Sequence, residues 1–372
     1  MSTTRRVGLL FGGRSVEHEV SLVSARGVAR ALADTPHVCV PIGVTHDGRW
    51  LGPDASQGVL EGSATRVDPP SADSGERVLL DPGGGGLLRT RPGRPTEPLA
   101  LDVLFPLVHG WGGEDGRLQG AADLAGLPCV GAGVLGSAAG MDKIAAKQLF
   151  QAAGLPVCPW IAATAHEFRG SGRERVLDAA RALGPTLFVK PANGGSSVGV
   201  TRVTLESELR AGIEEALAYD RRVLIERGVE AREVECAVLG NDQPQASVVG
   251  EIVPSREFYD YAAKYVDGTS RLLIPAPLDP ALAERVRALS LEAFRVLDLA
   301  GLARVDFLLD RRDEALYLNE VNTLPGFTPI SMFPKLWEAT GLSYPRLVER
   351  LIELGLERAG AQGARRFRWQ GV

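Results

Sequence analysis

The stretch 303–327, ARVDFLLDRRDEALYLNEVNTLPGF, decides how the second half of this chain folds. Two apolar runs flank the charged turn DRRDE, which predicts two adjacent strands folded back on each other. Side chains alternate along a strand, so Glu320 and Asn322, two residues apart, share a face. Asp306 lies on the same side of its own strand as Leu308. Two carboxylates and an amide oxygen grouped in this way suit a hard divalent ion such as Mg²⁺, with water and phosphate oxygens completing the shell. The plainer alternative is an exposed hairpin with solvated acids. Leu308, Leu309, Leu316 and Leu318 weigh against it, because acids among apolar neighbours are costly to bury unless a cation neutralises them.

Beyond this hairpin, 372 residues are too many for one ordinary core and predict two or three domains. A hydrophobic fraction of 45% with 23% charged residues is that of a soluble globular protein. The net charge of −5 gives no reason to expect nucleic acid or an anionic membrane as partner. No apolar run approaches the ~20 residues needed to span a bilayer. The N-terminal run RVGLLFGG stops at Gly12, as a buried first strand does and a secretory signal does not. Cys39, Cys129, Cys158 and Cys236 lie far apart with no CxxC pair, and read as reduced core thiols of a cytoplasmic protein.

Residues 6–45 run RVGLLF, a Gly-rich turn, the helical VSLVSARGVARALA and then VCVPIGV, a βαβ pattern that implies a parallel sheet. The segment 81–98, DPGGGGLLRTRPGRPTEP, reads as a low-complexity surface insertion. LDVLFPLV (101–108) predicts a buried strand ending at His109, and LPCVGAG another. A first α/β domain then closes near residue 138. Asp142 is the N-cap candidate of the helix MDKIAAKQLFQAAGL. The strands LFVK, VTRV and RVLIERGV with the acidic helix 205–218 make a small α+β domain, 139–236. The remainder, 237–372, holds a polar aromatic loop (255–271), a long helix near 279–300, the acidic hairpin and a closing helix.

Several segments can carry chemistry. The turn Asn193-Gly-Gly-Ser-Ser-Val-Gly199 follows Lys190-Pro191. Its glycines allow close approach of backbone to phosphate, Ser196 and Ser197 add hydroxyl donors, and Lys190 supplies a fixed positive charge. No GxxxxGK[ST] is present, which excludes a Walker-type site. One GxGxxG, at Gly131, Gly133 and Gly136, is discounted as a dinucleotide fingerprint because no ribose-binding acid stands about 20 residues on. Glu226, at the end of the strand from Val223, stands beside edge backbone that could read an adenine amino group. The loop Phe258–Tyr265 gathers aromatics with no regular period and reads as a lid that closes over a ligand. Glu17 and Glu19 open the first helix, where they could complement its dipole; Glu19 could also hold a substrate ammonium. His109, before a Gly-rich loop, would face the same crevice.

Together, GGRSVEHEVSLVSA, HGWGGEDGRLQG, GMDKIAAK, FVKPANGGSSVGV, EFYDYAAKY and ARVDFLLD…LNEVNTLPGFTPISMFP resemble the D-alanine–D-alanine ligases, ATP-grasp enzymes of bacterial cell-wall synthesis. The resemblance covers nearly the whole chain. It implies an N-terminal parallel-sheet domain followed by a two-lobed ATP-grasp fold. Lys143 and Lys190 resemble the lysines that hold the ATP phosphates, and Ser196–Gly199, with Ser197, the loop that covers them. Glu226, Arg227, Val229 and Glu233 resemble adenine and ribose contacts, with Lys264 reaching phosphate from the lid. Asp306, Glu320 and Asn322 match ligands of two Mg²⁺ ions, for which Mn²⁺ can substitute. Glu19 and His109 match residues that bind the first D-alanine; Ser331 and Met332 match the site of the second carboxylate. Arg304 and the Gly326 N–H resemble an oxyanion-stabilising pair. Tyr265, Ser196 and Glu19 match a hydrogen-bonded set that links lid to floor. By analogy the protein would be a homodimer.

Three other functions compete. A D-alanine–D-lactate ligase shares the fold, but that class carries a lid histidine where this chain has Tyr265. A non-catalytic ATP-binding regulator would have no use for Arg304 beside an acidic metal site. Another carboxylate–amine ligase of the superfamily would differ in the amino acid that triggers phosphate release.

Overall fold

The computed structural model describes residues 3–68, 75–253 and 271–363. The chain opens with β1 (Arg6–Gly12), α1 (His18–Ala33) and β2 (Val38–Val44), the second strand lying parallel to the first. Residues 7–12 are all buried, so β1 carries an unbroken apolar run instead of an alternating one. After α2 (Pro53–Glu61) comes an antiparallel meander of β3 (Arg77–Asp81), β4 (Gly86–Thr90) and β5 (Glu97–Leu99). β6 (Val103–Pro106) then returns to the free side of β1 and completes the parallel order β2-β1-β6.

Three expectations for this region need correction. The segment 81–98 is not a plain insertion, since it supplies strands whose Leu87 and Leu99 are buried. Its glycines make the β3–β4 turn, where the N–H groups of Gly83 and Gly86 donate to Leu124 and Ala125 carbonyls at the end of α3 (Arg117–Leu124). β6 stops at Pro106, so His109 sits in the loop beyond it. LPCVGAG does not extend as a strand: Cys129 bridges Leu104, and Gly131, at φ +100°, then turns the chain away.

α4 (Val134–Met141) and α5 (Lys143–Ala152) meet at Asp142, whose carboxylate accepts from the N–H groups of Ile144 and Ala145 as the expected N-cap. β7 (Trp160–Thr164), α6 (Ala165–Arg169), α7 (Arg173–Arg181), β8 (Leu187–Pro191), β9 (Thr201–Val203), α8 (Glu206–Tyr219) and β10 (Arg222–Arg227) follow. Their strands form an antiparallel sheet of order β7-β10-β8-β9. β10 is therefore an inner strand, paired on both sides, and offers no open edge along its length.

The last sheet has the order β13-β12-β11-β14-β15, from β11 (Ala231–Gly240), β12 (Gln245–Val253), β13 (Arg271–Leu273), β14 (Gly301–Asp310) and β15 (Leu316–Asn322). α9 (Pro280–Val296) precedes β14, and α10 (Met332–Ala339) and α11 (Tyr344–Gly363) close the described chain. Along α9, Val286 and Ala293 are buried against this sheet, with Leu297 just past the helix.

The cores are shared unequally. One joins Val7, Phe11 and Phe105 of the N-terminal sheet to Ala237, Phe333, Leu347 and Leu351 of the C-terminal part. The β7-β10-β8-β9 sheet keeps its own core around Phe168, Val189, Ile213 and Ile225. The glycines of the GxGxxG run serve packing between segments. A Cβ on Gly301 would stand 2.9 Å from the Gly131 Cα, and one on Gly136 would stand 2.9 Å from the Leu297 carbonyl oxygen.

Candidate active site

A cleft of about 1330 Å³ gathers side chains from all three of the larger sheets and their loops. Its acidic part is the β14–β15 hairpin. Asp306 and Glu320 are direct cross-strand partners beside a bulge, and Asn322 Nδ2 donates to Asp306 Oδ2 at 2.9 Å. Arg304 grips Asp306 with two hydrogen bonds of 2.7 Å each. From the other side Arg304 Nε lies 2.9 Å from Glu235 Oε2, on β11, itself the cross-strand partner of Asp306. Glu235 is buried and was not anticipated. Strand alternation from Glu233 was the signal that could have found it. Asp306, Glu320 and Asn322 form an all-oxygen donor set that fits a hard divalent ion.

The cationic part comes from α5 and β8. Lys143 Nζ donates to the Gly194 carbonyl at 2.7 Å and lies 3.5 Å from Glu320 Oε2. Lys190 pairs with Glu226 across the β8–β10 ladder and reaches Asn319 Oδ1 at 3.4 Å. Glu226 was expected at an adenine, yet its carboxylate is buried between Lys190 and Lys147, the latter at 3.0 Å. Burial alone would raise the Glu226 pKa, but Lys147 and then Lys190 outweigh it and hold the carboxyl at about 2. Lys190 loses solvation as well, and the charges of Glu226 and then Glu320 together outweigh that loss, so its pKa rises. Arg227 donates to the Tyr317 hydroxyl at 2.9 Å and, with Val229 and Glu233, also lines the cleft.

In the glycine loop, Ser196 (φ 52°) and Ser197 (φ 60°) both take the left-handed conformation, which non-glycine residues adopt at a cost. Ser196 Oγ donates to Glu17 Oε1 at 2.6 Å. The expected partner was Glu19, which instead lies 3.7 Å from His46 with its side chain half-exposed. The reason is helical geometry. Glu17 occupies the N-cap of α1 and turns back over the loop, whereas Glu19 is about 200° further round the helix.

Below Glu17, His109 is buried, with Nδ1 3.0 Å from the Leu324 carbonyl oxygen and Nε2 3.4 Å from Ser24 Oγ. Burial lowers its pKa. Glu114 is buried beside them and accepts from the Gly110 N–H at 2.9 Å. Burial first, then the charge of Glu17, pushes its pKa up to about 8. Glu114 was also overlooked, although it sits inside the GWGGEDG motif.

Ser331 is the N-cap of α10, and its hydroxyl accepts from the Thr328 N–H at 3.1 Å. Gly326, Ser331 and Met332 all line the cleft, and a Cβ on Gly326 would sit 3.1 Å from Ser331 Oγ. Lys264 and Tyr265, with lid residues 255–270, lie outside the described residues. All four cysteines are free. Among the described residues no helix is long and apolar enough to cross a membrane.

Comparison with known proteins gives a consistent result. Residues 6–132 match a family model described as the D-ala D-ala ligase N-terminus, and residues 149–353 match one described as the D-ala D-ala ligase C-terminus. The D-alanine–D-alanine ligase A of Chromobacterium violaceum is 49% identical over 361 residues, covering 95% of both chains. The D-alanine–D-alanine ligase of Geobacillus kaustophilus is 46% identical over 362 residues, again covering 95% of each. Among solved structures, the D-alanine–D-alanine ligase from Coxiella burnetii superposes with a TM-score of 0.81 at 34% identity, covering 97% of each chain. The VanG D-Ala:D-Ser ligase from Enterococcus faecalis gives 0.82 at 33% identity, covering 95% of this chain and all of that one.

Proposed function

The chain belongs to the D-alanine–D-alanine ligase family, and on that premise we propose that its cleft joins two D-alanine molecules through an acyl phosphate. The activity is an ATP-dependent ligation that supplies cell-wall synthesis, carried on an ATP-grasp fold. A carboxylate is a poor acyl donor, so ATP first converts that of the first D-alanine into a mixed anhydride. Lys143, Lys190 and the loop Ser196–Gly199 hold the phosphate oxygens, while Arg227, Val229 and Glu233 border the nucleoside. Asp306, Glu320 and Asn322 would hold two Mg²⁺ ions, or Mn²⁺ in their place, which when bound neutralise charge on the transferring phosphoryl group.

Glu17 takes the role first expected of Glu19, with His109 beside it, at the first D-alanine. Ser331 and Met332 receive the carboxylate of the second. The incoming amine must be unprotonated to attack, and the tetrahedral oxyanion it creates is met by Arg304 and the Gly326 N–H. Lys264 and Tyr265, outside the described residues, would by the family resemblance serve the phosphate side of the site, where exclusion of water protects the acyl phosphate. Three domains, a homodimeric assembly and a cytoplasmic location complete this reading; the second boundary, expected at 236, moves to about residue 230, because β11 (Ala231–Gly240) pairs with β14 along its whole length.

The observation that carries it is the convergence of Lys143, Lys190 and Arg304 with Asp306, Glu320 and Asn322 in one cleft. ADP release measured with D-alanine and with L-alanine tests it. Release with the D-isomer alone is expected; equal release with both would overturn the assignment. A structural neighbour is a D-Ala:D-Ser ligase, so product analysis with D-alanine plus D-serine or D-lactate fixes the acceptor. The dipeptide D-alanyl-D-alanine should dominate, and mainly ester product would refute that.

A further inference from the structure

Lys143 and Lys147 lie one turn apart on α5, yet they reach different places. Lys143 lines the cleft; Lys147 does not. Its side chain is 2% exposed and ends 3.0 Å from Glu226, also 2% exposed, whose other oxygen holds Lys190. Both the charge of Lys147 and its contact with the carboxylate hold Glu226 ionised.

A charge count gives the buried group its meaning. Lys190 with Glu226 alone would be a neutral pair, and the cleft would gain no net attraction for phosphate from it. A second buried lysine on the same carboxylate leaves the trio at +1. In a poorly solvated site that one charge acts with little screening. Glu226 meanwhile fixes the Lys190 ammonium in space, at the cleft wall.

We infer that Lys147 is a positioning residue: it neutralises Glu226 so that the charge of Lys190 remains available to the nucleotide phosphates. The inference rests on the proposal that this cleft binds ATP. Lys147→Met keeps the apolar stem and leaves Glu226 paired with Lys190, so no charge is stranded in the core.

The test measures binding of ATP, inorganic tripolyphosphate and adenosine, each with Mg²⁺ present, by titration calorimetry. Lys147→Met should weaken ATP and tripolyphosphate about tenfold, the scale of coupling within one charged network, and leave adenosine unchanged. Adding Glu226→Gln to that variant should restore tripolyphosphate binding, because Lys190 is then no longer cancelled. Lys147→Arg keeps the charge and should bind tripolyphosphate like wild type, which gives a second handle should the methionine variant fold poorly. Equal losses for adenosine and tripolyphosphate, or no rescue by Glu226→Gln, would mean that Lys147 is merely structural. Wild-type protein that binds no ATP would sink the ligase proposal itself; normal ATP binding by Lys147→Met would sink this inference alone.

Discussion

Ser196 donates a 2.6 Å hydrogen bond to Glu17, a residue 179 positions earlier in the chain. The bond fastens the glycine loop of the middle sheet to the first helix of the N-terminal sheet, above His109 and Glu114. A hydrogen bond to a charged group of this kind contributes about 1.5–3 kcal/mol, or roughly 10- to 150-fold in an equilibrium.

Glu17→Gln should accordingly lower kcat/KM for D-alanine by about 10- to 100-fold, while Glu19→Gln stays within about threefold. Steady-state ADP release at varied D-alanine separates the two. A larger loss in the Glu19 variant would return the substrate role to that residue.

Glu235→Gln leaves Arg304 with Asp306 as its remaining close carboxylate partner on β14. Arg304 should then sit less well for an oxyanion, at a cost of about tenfold in dipeptide formation. The signature is uncoupling: more ADP released per dipeptide made, because a stranded acyl phosphate hydrolyses. An unchanged ratio with wild-type turnover would show that Glu235 does not steer Arg304.

Glu320→Gln removes one of the three expected metal ligands while keeping side-chain volume. Turnover should fall by more than about 10²-fold with an unchanged circular dichroism spectrum, and Mn²⁺ binding measured by electron paramagnetic resonance should weaken with it. Wild-type rates in this variant would refute the metal assignment.

Glu114 carries a pH signature. Its carboxyl is held at about 8 in the fold against an ordinary value of 4.5, so the native state favours the protonated form. That contribution to stability is whole below about 4.5 and is lost as pH rises through about 8. The melting temperature of wild type should therefore drop across this interval more steeply than that of Glu114→Gln. Parallel curves for the two proteins would mean that Glu114 is ionised throughout.

Local pattern was a good guide where one strand or turn settled the matter. The Asp306–Glu320–Asn322 grouping follows from alternation within a single hairpin, and the Asp142 cap from one residue type ahead of a helical period. What it could not supply were partners fixed by chain entry angles and by neighbouring strands. Glu17 and Glu19 are equivalent as acids in a first helical turn; only the N-cap geometry turns one of them toward Ser196. Glu226 lines the cleft, but the two lysines that flank it come from α5 and β8, which are distant in sequence. The strand expected at LPCVGAG failed because Gly131 takes a conformation that ends pairing after one bridge.

The close approach of Gly131 to Gly301, together with the core common to β1, β6 and the C-terminal helices, has a mechanical meaning. It makes an anvil of the N-terminal and C-terminal parts. The β7-β10-β8-β9 sheet keeps its main core to itself and meets α5 through a small cluster of Ile144, Ala192 and Leu224, which makes it the jaw of the two. Any swing of that jaw has to release Ser196 from Glu17 on one side, and Lys190 from Asn319 and Arg227 from Tyr317 on the other.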